Sequence, residues 1–176
     1  MAIDTAGVGY RRAKDSDARA VTALLKGIYA EWRFFVGDSP ASERNLALRI
    51  SHDDPARSHY CVATHYEDVV GWSELHRPPA WRLEHVAVLT VAVAPAARGQ
   101  GVGRGLLRSG YEWCRSVGVL KISLHVRAGN AGAARLYLDE GFELEGRERG
   151  QIRLGPERGE GDEPFEDNLI MGKWLS

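Results

Sequence analysis

The sequence predicts an α/β (α+β) domain in which helices cover both faces of a mixed sheet of about seven strands. Three observations support this class. Short apolar or alternating runs typical of strands recur along the chain, apolar stripes at helical spacing separate some of them, and a glycine-rich turn joins the most apolar run to a helix. The predicted order is β-α-α-β-β-β-α-β-α-β-β, in one domain over residues 1–176.

The first half of the chain predicts a strand, two helices and a hairpin. The strand spans residues 8–12, and the hairpin joins residues 60–64 to residues 69–75. The second helix lies around residues 46–50. The first helix follows the capping residues Asp15, Ser16 and Asp17 and is broken at residues 37–40; its apolar stripe consists of Val21, Leu24, Leu25, Ile28 and Trp32.

The second half begins with an almost entirely apolar strand over residues 84–93, which we expect to be central and buried on both faces. A helix follows from Val102 and ends at Gly118. The remaining predicted elements are a strand over residues 121–126, a helix from Asn130 to Glu140 stopped by Gly141, a strand over residues 143–154, a loop over residues 155–167 and a strand over residues 168–175.

Composition excludes several classes of function. The net charge of −1, from 23 basic and 24 acidic residues, gives no support to nucleic-acid binding. Cys61 and Cys114 are too few for a disulfide framework, so a cytoplasmic location is expected. Residues 1–14 lack a secretion-signal pattern, and the longest apolar stretch, residues 86–97, is too short to cross a membrane. The six histidines show no metal-binding spacing, so no metal site is expected.

The glycine-rich turn is the most informative motif. Residues 98–103 are Arg-Gly-Gln-Gly-Val-Gly and open a helix. Backbone N–H groups at a helix N-terminus bind phosphate, and glycines let the ligand approach the backbone closely. Arg104 and Leu106 stand where a dinucleotide fingerprint would need its third glycine, and no P-loop sequence is present. The turn therefore predicts a phosphorylated cofactor bound by a different motif.

Three features between residues 83 and 142 resemble the GNAT-type N-acetyltransferase superfamily. Residues 98–103 are similar to its [Q/R]-x-x-G-x-[G/A] signature, and residues 91–95 are similar to the strand that precedes it. A second motif is matched by Asn130, Ala133, Leu136, Tyr137, Gly141 and Phe142. The resemblance implies a mostly antiparallel, twisted sheet and the transfer of an acetyl group from acetyl-CoA to a primary amine.

The resemblance also implies how acetyl-CoA (coenzyme A) is held. In the family, the sheet splays beside the central strand after a bulge, and the pantetheine arm pairs with the exposed strand edge. Here Val91 and Val93 would supply those hydrogen bonds, and the Val91 amide would also stabilise the oxyanion. Asn130 would hydrogen-bond the pantetheine arm. The pyrophosphate would lie against Arg98, Gly99, Gln100, Gly101, Val102, Gly103 and Arg104.

Tyr137 and Glu84 are the side chains expected to move protons. In the family, the tyrosine hydroxyl protonates the leaving thiolate, and a phenol keeps its proton at neutral pH because it titrates near about pH 10. Glu84 is the candidate for the base that accepts the proton of the amine, since several family members carry their base at this position. Others carry it three residues later, where this chain has Ala87. The alternatives are His85, Glu74 and His76.

These motifs leave the acceptor amine open. A small molecule, an amino acid and a protein N-terminus all fit the resemblance, because acceptor choice in the family lies in the first two helices and the last hairpin. Trp32, Phe34 and Phe35 could line an acceptor pocket, and the acidic residues 157–167 could attract a cationic acceptor. Many members form homodimers, although no apolar stripe here marks an interface. The alternatives are a non-catalytic acyl-CoA-binding or sensing module and the transfer of a longer acyl group.

Overall fold

The computed structural model describes residues 7–155 and 163–175. Within them, one sheet contains seven strands, in chain order β1 (Val8–Arg12), β2 (Ser58–His65), β3 (Asp68–His76), β4 (Val86–Val93), β5 (Lys121–Arg127), β6 (Glu143–Arg153) and β7 (Phe165–Trp174). Their order across the sheet is β1-β2-β3-β4-β5-β7-β6. β4 and β5 are parallel and every other neighbouring pair is antiparallel. The predicted mixed, mostly antiparallel sheet is confirmed.

Helices cover both faces of this sheet, as predicted. Those described are α1 (Ala18–Tyr29), α2 (Glu43–His52), α3 (Val102–Val117) and α4 (Ala131–Asp139). On one face, Val21 of α1 and Leu46 of α2 share a buried cluster with Trp72 of β3. On the other face, Leu107 of α3 and Tyr137 of α4 share a second buried cluster.

β4 is the central strand, and it separates from β5 halfway along its length. β5 pairs only with Val86, Ala87 and Val88, whereas β3 pairs with β4 from Val88 to Val93 without a register shift. The separation of strands implied by the family resemblance is therefore present. The expectation of a bulge before it is wrong for the part of β4 that pairs with β3. Burial on both faces holds only in part, because Ala87, Leu89 and Ala92 are buried while Thr90, Val91 and Val93 are partly exposed.

Three element boundaries differ from the prediction. α1 ends at Tyr29, before Trp32, whose backbone adopts a left-handed φ of 58° that no α-helix can accommodate. β4 begins at Val86 because residues 81–83 form a 3-10 turn with Glu84 at its end, so Glu84 lies outside the strand. β7 begins at Phe165, which shortens the predicted loop, and residues 156–162 of that loop lie outside the described residues.

None of the described helices is long and apolar enough to cross a membrane.

Candidate active site

A large cavity of about 890 Å3 opens between the N-termini of α3 and α4 and the part of β4 that β5 leaves. Most of its lining comes from three places: the glycine turn (residues 98–103), the end of β4 and the first turns of α4. The residues predicted to bind the cofactor that line it are Val91, Val93, Arg98, Gly99, Gly101, Gly103, Arg104, Asn130 and Tyr137.

Gly99 and Gly101 give the turn its shape. Their φ angles are +72° and +82°, and a Cβ atom added to either would meet no atom within 4 Å. The N–H of Gly105 bonds to the carbonyl oxygen of Gly101 at 3.0 Å, so the amides just before it project from the open end of α3. The turn thus presents backbone donors to empty space at the positive end of a helix.

Gln100 and Val102 contribute to the turn without lining the cavity with their side chains. The Gln100 amide folds back and donates to the carbonyl oxygen of Ala96 at 2.6 Å. Val102 is buried among Cys61, Leu106 and other core residues. Their predicted contact with a cofactor is therefore limited to their backbone atoms.

The two arginines of the turn have different partners. Arg98 donates from Nη1 and Nη2 to the carboxylate of Glu31 at 2.8 and 2.6 Å, and from Nε to the carbonyl oxygen of Val93 at 3.0 Å. Arg104 donates from Nε to Glu140 at 2.7 Å and is more exposed. The bond to Glu140 uses only Nε of Arg104 and leaves its two terminal nitrogens for the cavity, whereas both terminal nitrogens of Arg98 bind Glu31.

The free edge of β4 carries the amides of Val91 and Val93, as the resemblance implied. The N–H of Ala94 bonds to Val70 of β3 at 2.9 Å. Because successive amides of a strand point to opposite edges, those of Val93 and Val91 face away from β3, toward the gap that β5 leaves. The Val93 carbonyl oxygen on this edge already accepts a hydrogen bond from Arg98. Val91 presents both its N–H and its carbonyl oxygen at the same edge.

Asn130 and Tyr137 reach the cavity from α4. The Asn130 side-chain oxygen caps the helix by accepting from the N–H of Ala133 at 3.2 Å, which leaves its amide group for the cavity. Tyr137 is 7% exposed, and burial raises the pKa of its phenol to about 12. The capping interpretation of Asn130 and its predicted binding role are therefore compatible.

A small cavity of about 140 Å3 adjoins the large one and shares part of its lining. Phe34 and Phe35, from the segment between α1 and α2, line both, as does Tyr137. Trp32 lines neither cavity. The titratable side chains of the small cavity are His125, Arg127 and Tyr137. His125 was missed from the sequence, where it occupies an ordinary solvent-facing position of an alternating strand.

The residues weighed from the sequence as the base lie elsewhere. The Glu84 side chain is exposed and approaches Arg57 at 4.0 Å, and it lines neither cavity. His85 stacks on Trp174. Glu74 pairs with Arg49 at 2.5 Å and lies 3.9 Å from His76. Glu84 as the base therefore has no geometric support here.

No three His, Cys, Asp or Glu side chains in the described ranges come together in a way that could hold a metal ion.

Comparison with known proteins identifies the family. The model of the acetyltransferase (GNAT) family matches residues 23–142. N-alpha-acetyltransferase RimI of Mycobacterium tuberculosis is 34% identical over 158 residues, which cover 88% of this chain and 90% of that protein.

Two further relatives differ in how much they share. The crystal structure of ribosomal-protein-alanine N-acetyltransferase from Brucella melitensis superposes with a TM-score of 0.82 and 26% identity, over 95% of this chain and 99% of that one. The mycothiol acetyltransferase of Renibacterium salmoninarum is 37% identical over 71 residues, but the match spans only 40% of this chain and 21% of that protein. The chain belongs to the GNAT family and is an acetyl-CoA-dependent N-acetyltransferase.

Proposed function

We propose that this protein transfers the acetyl group of acetyl-CoA to the α-amino group at a protein or peptide N-terminus, by direct attack in a ternary complex. The observation that carries the proposal is the similarity to N-alpha-acetyltransferase RimI over 88% of the chain. A match of that extent reaches well beyond residues 83–142, into elements that form the acceptor side of the cavity.

The residues present fit acetyl-CoA. The open space above Gly99 and Gly101 can take a diphosphate against the amides of residues 99–103, with Arg104 beside it. The Val91 and Val93 amides, on the edge that β5 leaves, would pair with the pantetheine arm. The Asn130 amide would donate to the same arm.

Acetyl-CoA supplies a thioester whose carbonyl carbon is open to attack by an amine. The Val91 N–H is fixed by the pairing of β4 with β3, so it can stabilise negative charge on the carbonyl oxygen without reorganising. Tyr137, whose raised pKa of about 12 keeps its phenol protonated, is suited to donate that proton to the leaving thiolate.

His125 is the group we assign to accept the proton of the amine. Of the titratable side chains in the small cavity, a guanidinium such as that of Arg127 holds only donors, and Tyr137 already acts as the acid. Leu124 and Val126 pack in the buried cluster that contains Tyr137. His125 therefore points to the other face of the sheet, the face of α1 and α2. An imidazole there can receive a proton on the acceptor side of the gap.

A small amine is the second candidate acceptor, supported by the similarity to mycothiol acetyltransferase. That similarity covers 40% of the chain, against 88% for RimI, and so says less about the acceptor side. A non-catalytic acyl-CoA-binding module would need neither His125 nor Tyr137 beside the exposed strand edge.

The test uses pairs of synthetic peptides of the same sequence, which contains an internal lysine. In each pair one peptide has a free N-terminus and the other a blocked N-terminus, and the pairs differ in the first residue. Thiol release from acetyl-CoA and peptide mass are measured together. We expect acetylation of the free α-amino group and none of the blocked peptides. Acetylation confined to lysine, or to small amines in a parallel panel, would overturn the proposal.

A further inference from the structure

The segment between α1 and α2 supplies the aromatic wall of both cavities. We call residues 31–35 the aromatic segment; it contains Phe34 and Phe35 and belongs to no helix or strand. Phe35 stacks on Tyr29 at the end of α1, with 4.6 Å between ring centroids. The backbone around Phe34 has no regular hydrogen-bond ladder, so side-chain contacts must fix this ring beside the gap between β4 and β5.

Arg98 makes that connection from the glycine turn. Its two terminal nitrogens bind both carboxylate oxygens of Glu31, at 2.6 and 2.8 Å, and its guanidinium carbon lies 4.5 Å from the centroid of the Phe34 ring. Both charged side chains are about one-third exposed or less. A two-point arginine–carboxylate pair fixes both position and orientation, which a single contact cannot do.

The same side chain is also tied to the strand that carries the reaction centre. Arg98 Nε donates to the Val93 carbonyl oxygen at 3.0 Å. One planar group thus joins the end of β4, Glu31 and the Phe34 ring. Three of its five N–H donors are used, one each from Nε, Nη1 and Nη2, and these bonds fix the orientation of the guanidinium. It therefore cannot turn toward a diphosphate without releasing Glu31. From β5, Arg127 donates to the carbonyl oxygen of Trp32 and so holds the segment at a second point.

We propose that Arg98 is a positioning residue that, through Glu31 and Phe34, fixes the aromatic segment relative to Val91 of β4, where the thioester is proposed to lie. In this role it does not bind the cofactor phosphates, although it is the first residue of the phosphate-binding signature. The identity of the acceptor rests on the proposed function, whereas the placement of Phe34 by Arg98 does not.

The test compares Glu31→Gln and Arg98→Lys with Arg104→Lys as the matched arginine variant of the same turn. Acetyl-CoA affinity is measured by calorimetry, and KM and kcat are measured with whichever amine the wild-type protein acetylates. We expect Glu31→Gln and Arg98→Lys to raise the acceptor KM by about tenfold, with acetyl-CoA affinity and kcat changed by less than about twofold. Arg104→Lys should weaken acetyl-CoA binding and leave the acceptor KM unchanged.

Amide hydrogen exchange of the aromatic segment, with acetyl-CoA bound, gives a readout that needs no acceptor. Exchange should be faster in Glu31→Gln and Arg98→Lys and unchanged in Arg104→Lys. The proposal is overturned if Arg98→Lys weakens acetyl-CoA binding as much as Arg104→Lys does, or if neither pair variant changes exchange in the aromatic segment. If none of the synthetic peptides is acetylated, only the proposed N-terminal acceptor is refuted, and the placement of Phe34 by Arg98 is not.

Discussion

His125 and Tyr137 line the same small cavity from opposite faces of the sheet. The gap between β4 and β5 is what allows both side chains to reach one space, with the Val91 amide at its edge. The proposed acid on the α4 side and the proposed base on the α1 side match the two proton transfers that amide formation from a thioester requires.

Replacing Tyr137 with phenylalanine should lower kcat by about a hundredfold or more, which is the range for loss of a general acid. Acetyl-CoA affinity should stay nearly the same, because the ring still packs against Phe142. Steady-state kinetics and calorimetry on the same preparations check both expectations.

Tyr111→Phe is the control for this change. Tyr111 lies in the same buried cluster, its hydroxyl is 3.5 Å from Glu140, and it lines neither cavity. Its variant should keep the wild-type kcat. Equal losses in the two variants, or no loss in Tyr137→Phe, would remove Tyr137 from the mechanism.

Replacing His125 with alanine should lower kcat most strongly at low pH. Without a base, only acceptor molecules that have already lost their proton can react, and α-amino groups titrate near about pH 8. The deficit should therefore shrink as the pH rises from about 6 to 9. Rates over this range, at saturating acetyl-CoA, measure the effect.

Glu84→Gln is the matched variant for the base, because Glu84 is the residue that the sequence favoured. Its side chain is exposed beside Arg57, and we expect wild-type rates at every pH. A large loss in Glu84→Gln together with a normal His125→Ala variant would reverse the assignment.

The fold was largely predictable because local patterns determine it. The stripe of α3, the cap at Asn130 and the left-handed glycines at Gly118 and Gly141 are encoded within a few residues of where they act. The start of β4 was placed two residues too early, because Glu84 and His85 precede an apolar run and the 3-10 turn before them has no distinctive sequence.

The site was less predictable where it depends on distant elements. The signature predicted that residues 98–103 bind phosphate, yet it gave no sign that Arg98 turns to Glu31, a residue far away in the sequence. The role proposed for His125 depends on the divergence of β5 from β4. Separation of two strands is a property of the whole sheet, and no local pattern around residue 125 reports it.

Gly101→Ala should weaken acetyl-CoA binding, and Gly118→Ala should not. Both glycines have positive φ, at 82° and 76°, with open space where a Cβ would lie. An L-residue is therefore strained by about 1–2 kcal/mol at each, and thermal unfolding should show similar losses. Gly101→Glu, which adds bulk and negative charge to the turn, should abolish binding. Retained affinity in Gly101→Glu would contradict a phosphate site at residues 99–103.

Two helix-interior glycines should respond to alanine with opposite signs. At Gly27 a Cβ meets no atom within 4 Å, so the better helix propensity of alanine should stabilise the protein by about 0.5–1 kcal/mol. At Gly110 a Cβ would lie 2.6 Å from Leu75 Cδ1, and Leu75 is fully buried. That overlap should cost about 1–3 kcal/mol despite the propensity gain. Chemical denaturation measures both, and stabilisation by Gly110→Ala would show that α3 does not press on β3 there.

His59 should make the stability of the protein fall between pH 6.5 and 4. Its ring is buried against Trp113, and burial, aided by the positive charge of Arg12, lowers its pKa from 6.5 to about 4. The unfolded chain therefore binds a proton over this range while the folded protein does not, so the stabilisation is complete above pH 6.5 and lost as the pH falls toward 4.

The expected loss at His59 is about 2 kcal/mol, reduced from the full value of the shift because the ring is not completely shielded from water. His59→Gln removes the titration, so its unfolding free energy should depend less steeply on pH in this range and match the wild-type slope above pH 7. Below pH 4, both proteins should lose stability together, because the Arg11 guanidinium lowers the pKa of the Asp17 carboxyl and the unfolded chain therefore takes up a proton there before the folded protein does. Identical slopes between pH 6.5 and 4 would mean that the folded protein accommodates a protonated His59.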